Sequence, residues 1–215
     1  MELETLPGLV PAILATLGQN ESVYAENGIM LYKDPPVAVG RKTIQSGGMF
    51  STLERKTFGG IPFFLTEFTG PGSVAFSRDG VGEVRTLELE TNEEIDVAEG
   101  SLLLAEARIG YDMTYIKGTN RPGRIIGLWL DRLRGPGKVV LHAFGNVISM
   151  SLAPGENLTC DLGALLYKSG TVQAATKNLP FGAGLLGKLE SFEVLELTGP
   201  GKVALQSIDP KEPRY

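Results

Sequence analysis

Few residues in this sequence have the types and spacing that catalysis requires. His142 is the only histidine of the chain. A metal site built on imidazoles would need partners that the sequence does not contain. We therefore interpret His142 as a half-exposed residue of a strand rather than as a catalytic base. No catalytic residue and no metal ligand is predicted from it.

A dense acidic stretch is the second candidate for chemistry, because several carboxylates together can hold a hard cation. Apolar residues alternate with the carboxylates, which favours a solvated strand face followed by a turn over a metal site. The acidic residues are Glu88, Glu90, Glu93, Glu94, Asp96 and Glu99, and the apolar residues are Leu87, Leu89, Ile95 and Val97.

A glycine-rich segment is the third candidate. Residues 182–187 read Gly-Ala-Gly-Leu-Leu-Gly and formally match the dinucleotide-binding pattern G-x-G-x-x-G. That pattern requires a preceding strand, a following helix and an acidic residue about 20 positions later. A strand-like run from Phe192 follows instead, so we predict a glycine-rich hairpin and no cofactor.

Charge and cysteine content narrow the class of protein. The 215 residues include 20 basic and 25 acidic side chains, which gives a net charge of −5, and this balance argues against a nucleic acid partner. Cys160 is the single cysteine; we expect a core residue in a reducing compartment. Glu2 and Glu4 stand where a secretory signal has basic residues, and no apolar run approaches the roughly 18 residues of a membrane span. We therefore expect a cytoplasmic protein.

A repeated turn motif indicates how the chain is organised. The tripeptide Gly-Pro-Gly occurs three times, at spacings of 65 and 64 residues, and each copy is followed by an alternating apolar pattern typical of a strand. Proline suits the second position of a type II turn and glycine the third, so each motif is predicted to turn the chain at a corner between strands. The three turns are Gly70-Pro71-Gly72, Gly135-Pro136-Gly137 and Gly199-Pro200-Gly201.

A second set of landmarks recurs without gaps. Gly28, Gly100 and Gly163 each precede an apolar run, and a leucine, a glutamate and an aliphatic residue stand at fixed distances before each of them. The residue before the glutamate is Asn20, Asn92 or Gly155, which are types that tolerate a left-handed backbone. The preceding leucines are Leu17, Leu89 and Leu152, and the glutamates are Glu21, Glu93 and Glu156.

These repeats predict an all-β protein. We expect about 15 to 20 short strands, arranged as three sandwich-like or barrel-like repeats about a pseudo-threefold axis. The segments would be 1–79 (N-terminal segment and first repeat), 80–147 (second repeat) and 148–215 (third repeat and C-terminal tail), packed as one body.

The sequence also resembles a known family. Residues 55–72, which read RKTFGGIPFFLTEFTGPG, and residues 197–207, which read LTGPGKVALQS, are similar to the mitochondrial biogenesis proteins named for altered inheritance of mitochondria (protein twenty-four). The resemblance covers nearly the whole chain. It implies a fold like that of the tryptophan RNA-binding attenuation protein (TRAP), repeated within one chain, and a family of largely undefined biochemical role. It implies no catalytic residues, and RNA binding is not expected because the chain lacks a basic stripe.

Apolar residues just upstream of the turn motifs are the remaining functional signal. They occupy the same slot of each repeat, and could form a surface for another protein, a second copy or a membrane, or instead fill the centre where the repeats meet. We predict a non-enzymatic scaffold that acts through binding or assembly; the alternative is a small-molecule-binding or enzymatic barrel with a pocket between repeats. The candidate interaction residues are Phe63, Phe64, Trp129, Phe181 and Leu185.

Overall fold

The computed structural model describes residues 1–42, 65–118, 127–180 and 191–210. Within these residues the chain forms nineteen β-strands and no helix, which confirms the predicted all-β class and strand number. The first strand, β1 (Glu2–Leu6), precedes three groups of six strands that we call copies.

The strands of the three copies have the following bounds. Copy 1 comprises β2 (Ala12–Leu17), β3 (Ser22–Glu26), β4 (Met30–Lys33), β5 (Ala38–Lys42), β6 (Leu65–Thr69) and β7 (Gly72–Ser77). Copy 2 comprises β8 (Gly82–Leu89), β9 (Glu94–Ala98), β10 (Leu102–Glu106), β11 (Gly110–Lys117), β12 (Gly127–Arg134) and β13 (Gly137–Phe144). Copy 3 comprises β14 (Val147–Leu152), β15 (Asn157–Cys160), β16 (Leu165–Ser169), β17 (Gln173–Pro180), β18 (Ser191–Thr198) and β19 (Gly201–Gln206).

Each copy divides its strands between two sheets in the same way. The first, sixth and third strands lie side by side in one sheet, and the second, fifth and fourth strands lie side by side in another. The sheet orders are β1-β2-β7-β4, β5-β6-β3-β10-β13-β8, β11-β12-β9-β16-β19-β14 and β15-β18-β17. One strand topology therefore recurs in the three copies, whereas the pseudo-threefold axis, the TRAP-like fold and the three domain limits stay predictions.

Consecutive copies are joined by antiparallel strand pairing. The third strand of a copy pairs with the second strand of the copy before it, as β10 does with β3 and β16 with β9. Ala105 lies opposite Tyr24 in the first of these junctions, and Lys168 lies opposite Asp96 in the second. These pairs occupy equivalent positions of the repeat, so both junctions have the same register.

The chain divides into two compact units. The first contains Met1–Asn92, Gly100–Asp112 and Leu133–His142, and the second contains Glu93–Glu99, Met113–Arg132 and Ala143–Tyr215. Each unit has its own apolar core, built from the alternating positions of its strands. The first core includes Ile13, Val23, Phe68, Phe76 and Leu103, and the second includes Leu130, Leu152, Leu165, Leu195 and Val203.

The Gly-Pro-Gly turns lead the chain from one sheet into another, as predicted. Each lies between the fifth and sixth strands of its copy, which belong to different sheets. The third residue of each turn, Gly72, Gly137 or Gly201, has a φ between 126° and 146°, which a residue with a Cβ adopts only with strain. The predicted type II geometry is wrong, because a type II turn has a φ of about 80° at this glycine and the three glycines lie well above that value. The Gly-Pro bond is cis in all three turns.

The predicted left-handed turn is confirmed in all three copies. Asn20 and Asn92 have φ values of 64° and 65°, and Gly155 has 77°. The following glutamate closes this turn by accepting a backbone hydrogen bond: Gly18 N donates to Glu21 Oε2 at 2.7 Å, and Ala153 N donates to Glu156 Oε2 at 2.8 Å. The sequence landmarks therefore mark equivalent backbone geometry.

Candidate functional site

The outer edge of β4 carries the largest run of exposed apolar side chains on any strand among the described residues. Met30 is 43%, Leu31 58% and Tyr32 50% exposed. β4 is the last strand of its sheet and pairs only with β7. Its other edge therefore presents backbone N–H and C=O groups that no described strand occupies, beside three large apolar side chains.

The same positions are buried in the other two copies. Leu31 corresponds to Leu103 and Leu166 in the repeat, and both of these leucines are 0% exposed. Each third strand also has a register shift at this leucine against the sixth strand of its copy, so the local backbone is alike in the three. The difference is that β10 and β16 have a neighbouring second strand, whereas β4 does not.

The end of β4 is held in place by Asp34. Ser73 N donates to Asp34 Oδ2 at 2.7 Å, and Asp34 N donates to Ser73 O at 2.8 Å. Lys33 Nζ donates to Asp34 O at 3.2 Å, which directs its charge towards the turn. These bonds fix the end of β4 against β7.

A second group of exposed apolar residues lies on neighbouring loops of the same unit. Leu9 is 82% and Val10 50% exposed, and both precede β2; Val81, just before β8, is 39% exposed. Gly82 N donates to Leu9 O at 3.0 Å, which brings the two loops together. These three residues form a second exposed apolar group on the first unit.

His142 is fully buried, so its predicted half-exposed position is wrong. It is 0% exposed on β13, and its backbone N–H donates to Ser101 O at 2.8 Å. Burial and the positive charge of Arg78 lower the pKa of His142 to about 4, so the ring is neutral at pH 7. Arg78 Nη2 itself donates to Glu26 Oε2 at 2.5 Å. A buried imidazole beside this ion pair has no evident route to a substrate.

Asp96 is a further correction, since the sequence places it on a solvated face and the structure buries it. It is 1% exposed and accepts two hydrogen bonds from Arg132, at 2.7 and 3.0 Å, and one from Lys168 Nζ at 2.7 Å. Burial alone would raise the pKa of Asp96, but the hydrogen bonds from Arg132 and the charge of Lys168 outweigh burial and hold the pKa below its ordinary value. This cluster is a structural ion network at the junction of β9 and β16.

The other acidic residues of that stretch fit their predicted role, because Glu88, Glu90 and Glu99 are exposed. Among the described residues, no group of three or more histidine, cysteine or carboxylate side chains is arranged to hold a metal ion. Nor does the described part of the chain contain a helix long and apolar enough to cross a membrane.

The predicted interaction residues are only partly placed. Trp129 lies on β12, half-buried, with its ring centroid 4.7 Å from that of Tyr115. Phe63, Phe64, Phe181 and Leu185 lie outside the described residues, as does the glycine-rich segment 182–187. Cys160 is half-buried on β15 and packs against the second apolar core. Met30–Tyr32 were not among the predicted interaction residues, although they belong to the apolar run after Gly28.

Comparison with known proteins assigns the family. The profile of the AIM24 family, described as mitochondrial biogenesis AIM24, matches residues 8–208. The chain belongs to this family. The resemblance predicted from the sequence is thereby confirmed, and the AIM24 family relates the chain to mitochondrial biogenesis proteins without specifying a biochemical role.

A solved structure supports the fold of this AIM24-family chain. The crystal structure of a protein from Streptococcus pyogenes is similar to it with a TM-score of 0.72, over 97% of this chain and 94% of that one. The two sequences are 20% identical, so the similarity concerns the fold alone. A search of curated proteins finds no match.

Proposed function

We propose that this AIM24-family chain is a non-enzymatic β-scaffold that binds another protein chain along the outer edge of β4. The observation that carries the proposal is the run of three exposed apolar side chains, Met30, Leu31 and Tyr32, on an edge that no described strand covers. Contiguous apolar surfaces that are exposed to solvent are typical of interaction sites.

An added strand would bind both the backbone hydrogen-bonding groups and the exposed apolar side chains of the edge. Its backbone would pair with the outward N–H and C=O groups of β4, and its side chains would cover the apolar ones, which is the mode known as β-augmentation. Each of the three side chains is about half exposed, so covering it contributes roughly 1 kcal/mol from apolar burial. These contributions favour a protein partner over a small polar ligand.

The edge is ordered in advance, which lowers the cost of binding. Asp34 ties the end of β4 to Ser73 on β7 by two hydrogen bonds, and β4 is paired with β7 along its inner edge. A partner therefore loses little affinity to the ordering of this surface.

The enzymatic alternative has less support in the described residues. This alternative depended on His142 and on the acidic stretch. His142 is buried beside Arg78, and the carboxylate of Asp96 is buried and hydrogen-bonded to Arg132 and Lys168.

The test compares wild type with Leu31→Lys and with the matched control Ile148→Lys. Ile148 is also an apolar residue of an edge strand, β14, and is 53% exposed. Each protein is tagged, recovered from native lysate and sized by light scattering. We expect wild type and Ile148→Lys to occur in complexes larger than one chain, and Leu31→Lys to lose them with at least about tenfold weaker affinity.

Two results would contradict the proposed function. One is a wild-type protein that stays alone and monomeric in the lysate and after purification. The other is a complex that Leu31→Lys leaves intact, because the contact would then lie elsewhere.

A further inference from the structure

We infer that the strand received by the β4 edge is β15 of a second copy of this chain, paired in the register of the internal junctions. The inference rests on the proposed function and names its partner. The chain itself contains two examples of the interaction, at β10 with β3 and at β16 with β9.

The pairing between copies leaves two strand edges without a neighbour among the described strands, one on β4 and one on β15. Each junction joins the third strand of one copy to the second strand of the copy before. Among the described residues no copy stands before copy 1, so the third strand β4 lacks this neighbour. None stands after copy 3, so the second strand β15 lacks its own. Each of these strands ends its sheet. The two edges are complementary because they are the halves of a junction formed twice already.

Residues of β15, like those of β4, are less buried than the equivalent residues of the other copies. Thr159 is exposed and Cys160 is half-buried, whereas the equivalent residues of β9, Asp96 and Val97, are 1% and 0% exposed. The equivalent residue of β3 at the first position, Tyr24, is 0% exposed. A second strand is thus buried where it has a third strand beside it and exposed where it does not.

The shared register predicts which residues meet. Lys168 lies opposite Asp96 and Tyr167 opposite Val97. Transferred by the repeat spacing, these pairs place Lys33 opposite Thr159 and Tyr32 opposite Cys160 of the second copy. Because directly opposite residues of an antiparallel pair project to the same face, Tyr32 and Cys160 come within reach of a disulfide when Tyr32 is replaced by cysteine.

The resulting contact is head-to-tail, since the two surfaces differ. Such contacts either close into a ring or continue to grow, so the assembly contains more than two chains when its free ends find further partners. A protein of this design assembles in a concentration-dependent manner without any other component.

The experiment uses oxidative cross-linking of the purified full chain. Tyr32→Cys is oxidised with Cu(II)–phenanthroline, an efficient oxidant chosen because burial and the nearby Asp161 charge raise the pKa of the Cys160 thiol to about 11. We expect covalent dimers and larger species, increasing with protein concentration. Lys33→Cys is the control, because a neighbouring strand residue projects to the opposite face; it should cross-link at least fivefold less. Tyr32→Cys combined with Cys160→Ser should give no covalent product through this pair.

A product that stays at the mass of one chain overturns the inference, and so does equal cross-linking of Lys33→Cys. Light scattering of unmodified wild type is the second measurement, and a mass of 23.0 kDa at every concentration also overturns it. If these tests fail while Leu31→Lys still removes a complex in lysate, self-pairing is wrong and the scaffold function stands. If Leu31→Lys has no effect on any complex either, both proposals are wrong.

Discussion

The first glycine of each Gly-Pro-Gly turn packs against the leucine that marks the start of the repeat. A Cβ at Gly135 would overlap the backbone oxygen of Glu90 and approach Leu89 Cβ to 2.8 Å. Equivalent contacts occur at Gly70 with Leu17 and at Gly199 with Leu152. The turn residue and the distant leucine, which the sequence repeats at matched positions, are thus two sides of one close packing contact.

Gly135→Ala tests this contact. Backbone cannot yield as a flexible side chain does, so we expect a loss of about 3 kcal/mol in the free energy of unfolding. The matched control is Gly40→Ala on β5, where an added Cβ meets nothing within 4 Å and the change should stay within about 1 kcal/mol. Urea unfolding measures both, and equal effects of the two substitutions would refute the packing argument.

His142 predicts a pH dependence of stability. Its pKa is about 4 in the folded chain and about 6.5 when unfolded. Between these values the unfolded chain binds a proton that the folded chain does not, so stability falls as the pH is lowered. Wild type should lose about 2 kcal/mol more than His142→Gln between pH 7 and pH 5. Urea unfolding of both proteins at the two pH values checks this, and parallel losses would show that His142 does not titrate as stated.

The conformation of a residue was predictable from the sequence where the residue type itself restricts the local backbone. Asn20, Asn92 and Gly155 were assigned to a left-handed turn from their types and positions alone, because few residues tolerate that conformation. His142 and Asp96 were assigned to exposed positions, and both are buried. Their burial depends on elements distant in sequence, since β13, which carries His142, lies between β10 and β8 of one sheet, and Asp96 binds Lys168 of β16. Local alternation contains no information about either contact.

At the scale of elements, the two junctions between copies share a register but use different side chains. Asp96 at the second junction binds Arg132 and Lys168, whereas Tyr24 at the first lies under Lys42 Nζ, 4.9 Å from the ring centroid. The backbone pairing is therefore the feature that the two junctions share. The side chain at the equivalent position differs, being Tyr24 in β3 and Asp96 in β9.

Asp96→Asn tests the contribution of the ionic junction. Removing one charge leaves Lys168 buried without its counter-ion, and we expect a loss of about 3 kcal/mol at pH 7, at the low end for buried pairs because Arg132 reaches solvent. Glu88→Gln, in the same acidic stretch but exposed, is the control and should change stability by less than about 0.5 kcal/mol.

The effect of Asp96→Asn should depend on pH. The folded pKa of Asp96 is lowered, so its stabilisation is present above its unfolded pKa of about 3.9 and is lost as the pH falls through the folded value. The difference between wild type and Asp96→Asn should therefore shrink below about pH 4. A difference that stays constant into acid would contradict the role of the ionised carboxylate.

Strand content was predictable because the alternating apolar positions recur three times, but the open edge was not. Met30-Leu31-Tyr32 closely resembles Leu102-Leu103-Leu104 and Leu165-Leu166-Tyr167 in its apolar character, so local sequence gives all three the same expected burial. Only the pairing order of the sheets shows that the first of these strands lacks a neighbour. The repeated sequence shows that each third strand has the apolar pattern of a strand with a neighbour on both sides. It does not show which of the three strands lacks one of these neighbours.

At the scale of the whole molecule, the repeated strand pairing is the basis of the proposed activity. Each interior junction buries a third strand against a second strand, and the same pairing pattern exposes one edge at β4. The proposed scaffold function rests on the edge of β4 that no described strand covers.

The most direct test of that claim is hydrogen–deuterium exchange of the backbone amides of β4 in the free and the assembled protein. We predict that those amides of Met30–Lys33 that point away from β7 exchange rapidly in the dilute chain and become protected at least tenfold when the protein enters a complex, while β14 is unchanged. If assembly leaves the exchange of β4 unaltered, the edge is not the binding surface and the account is contradicted.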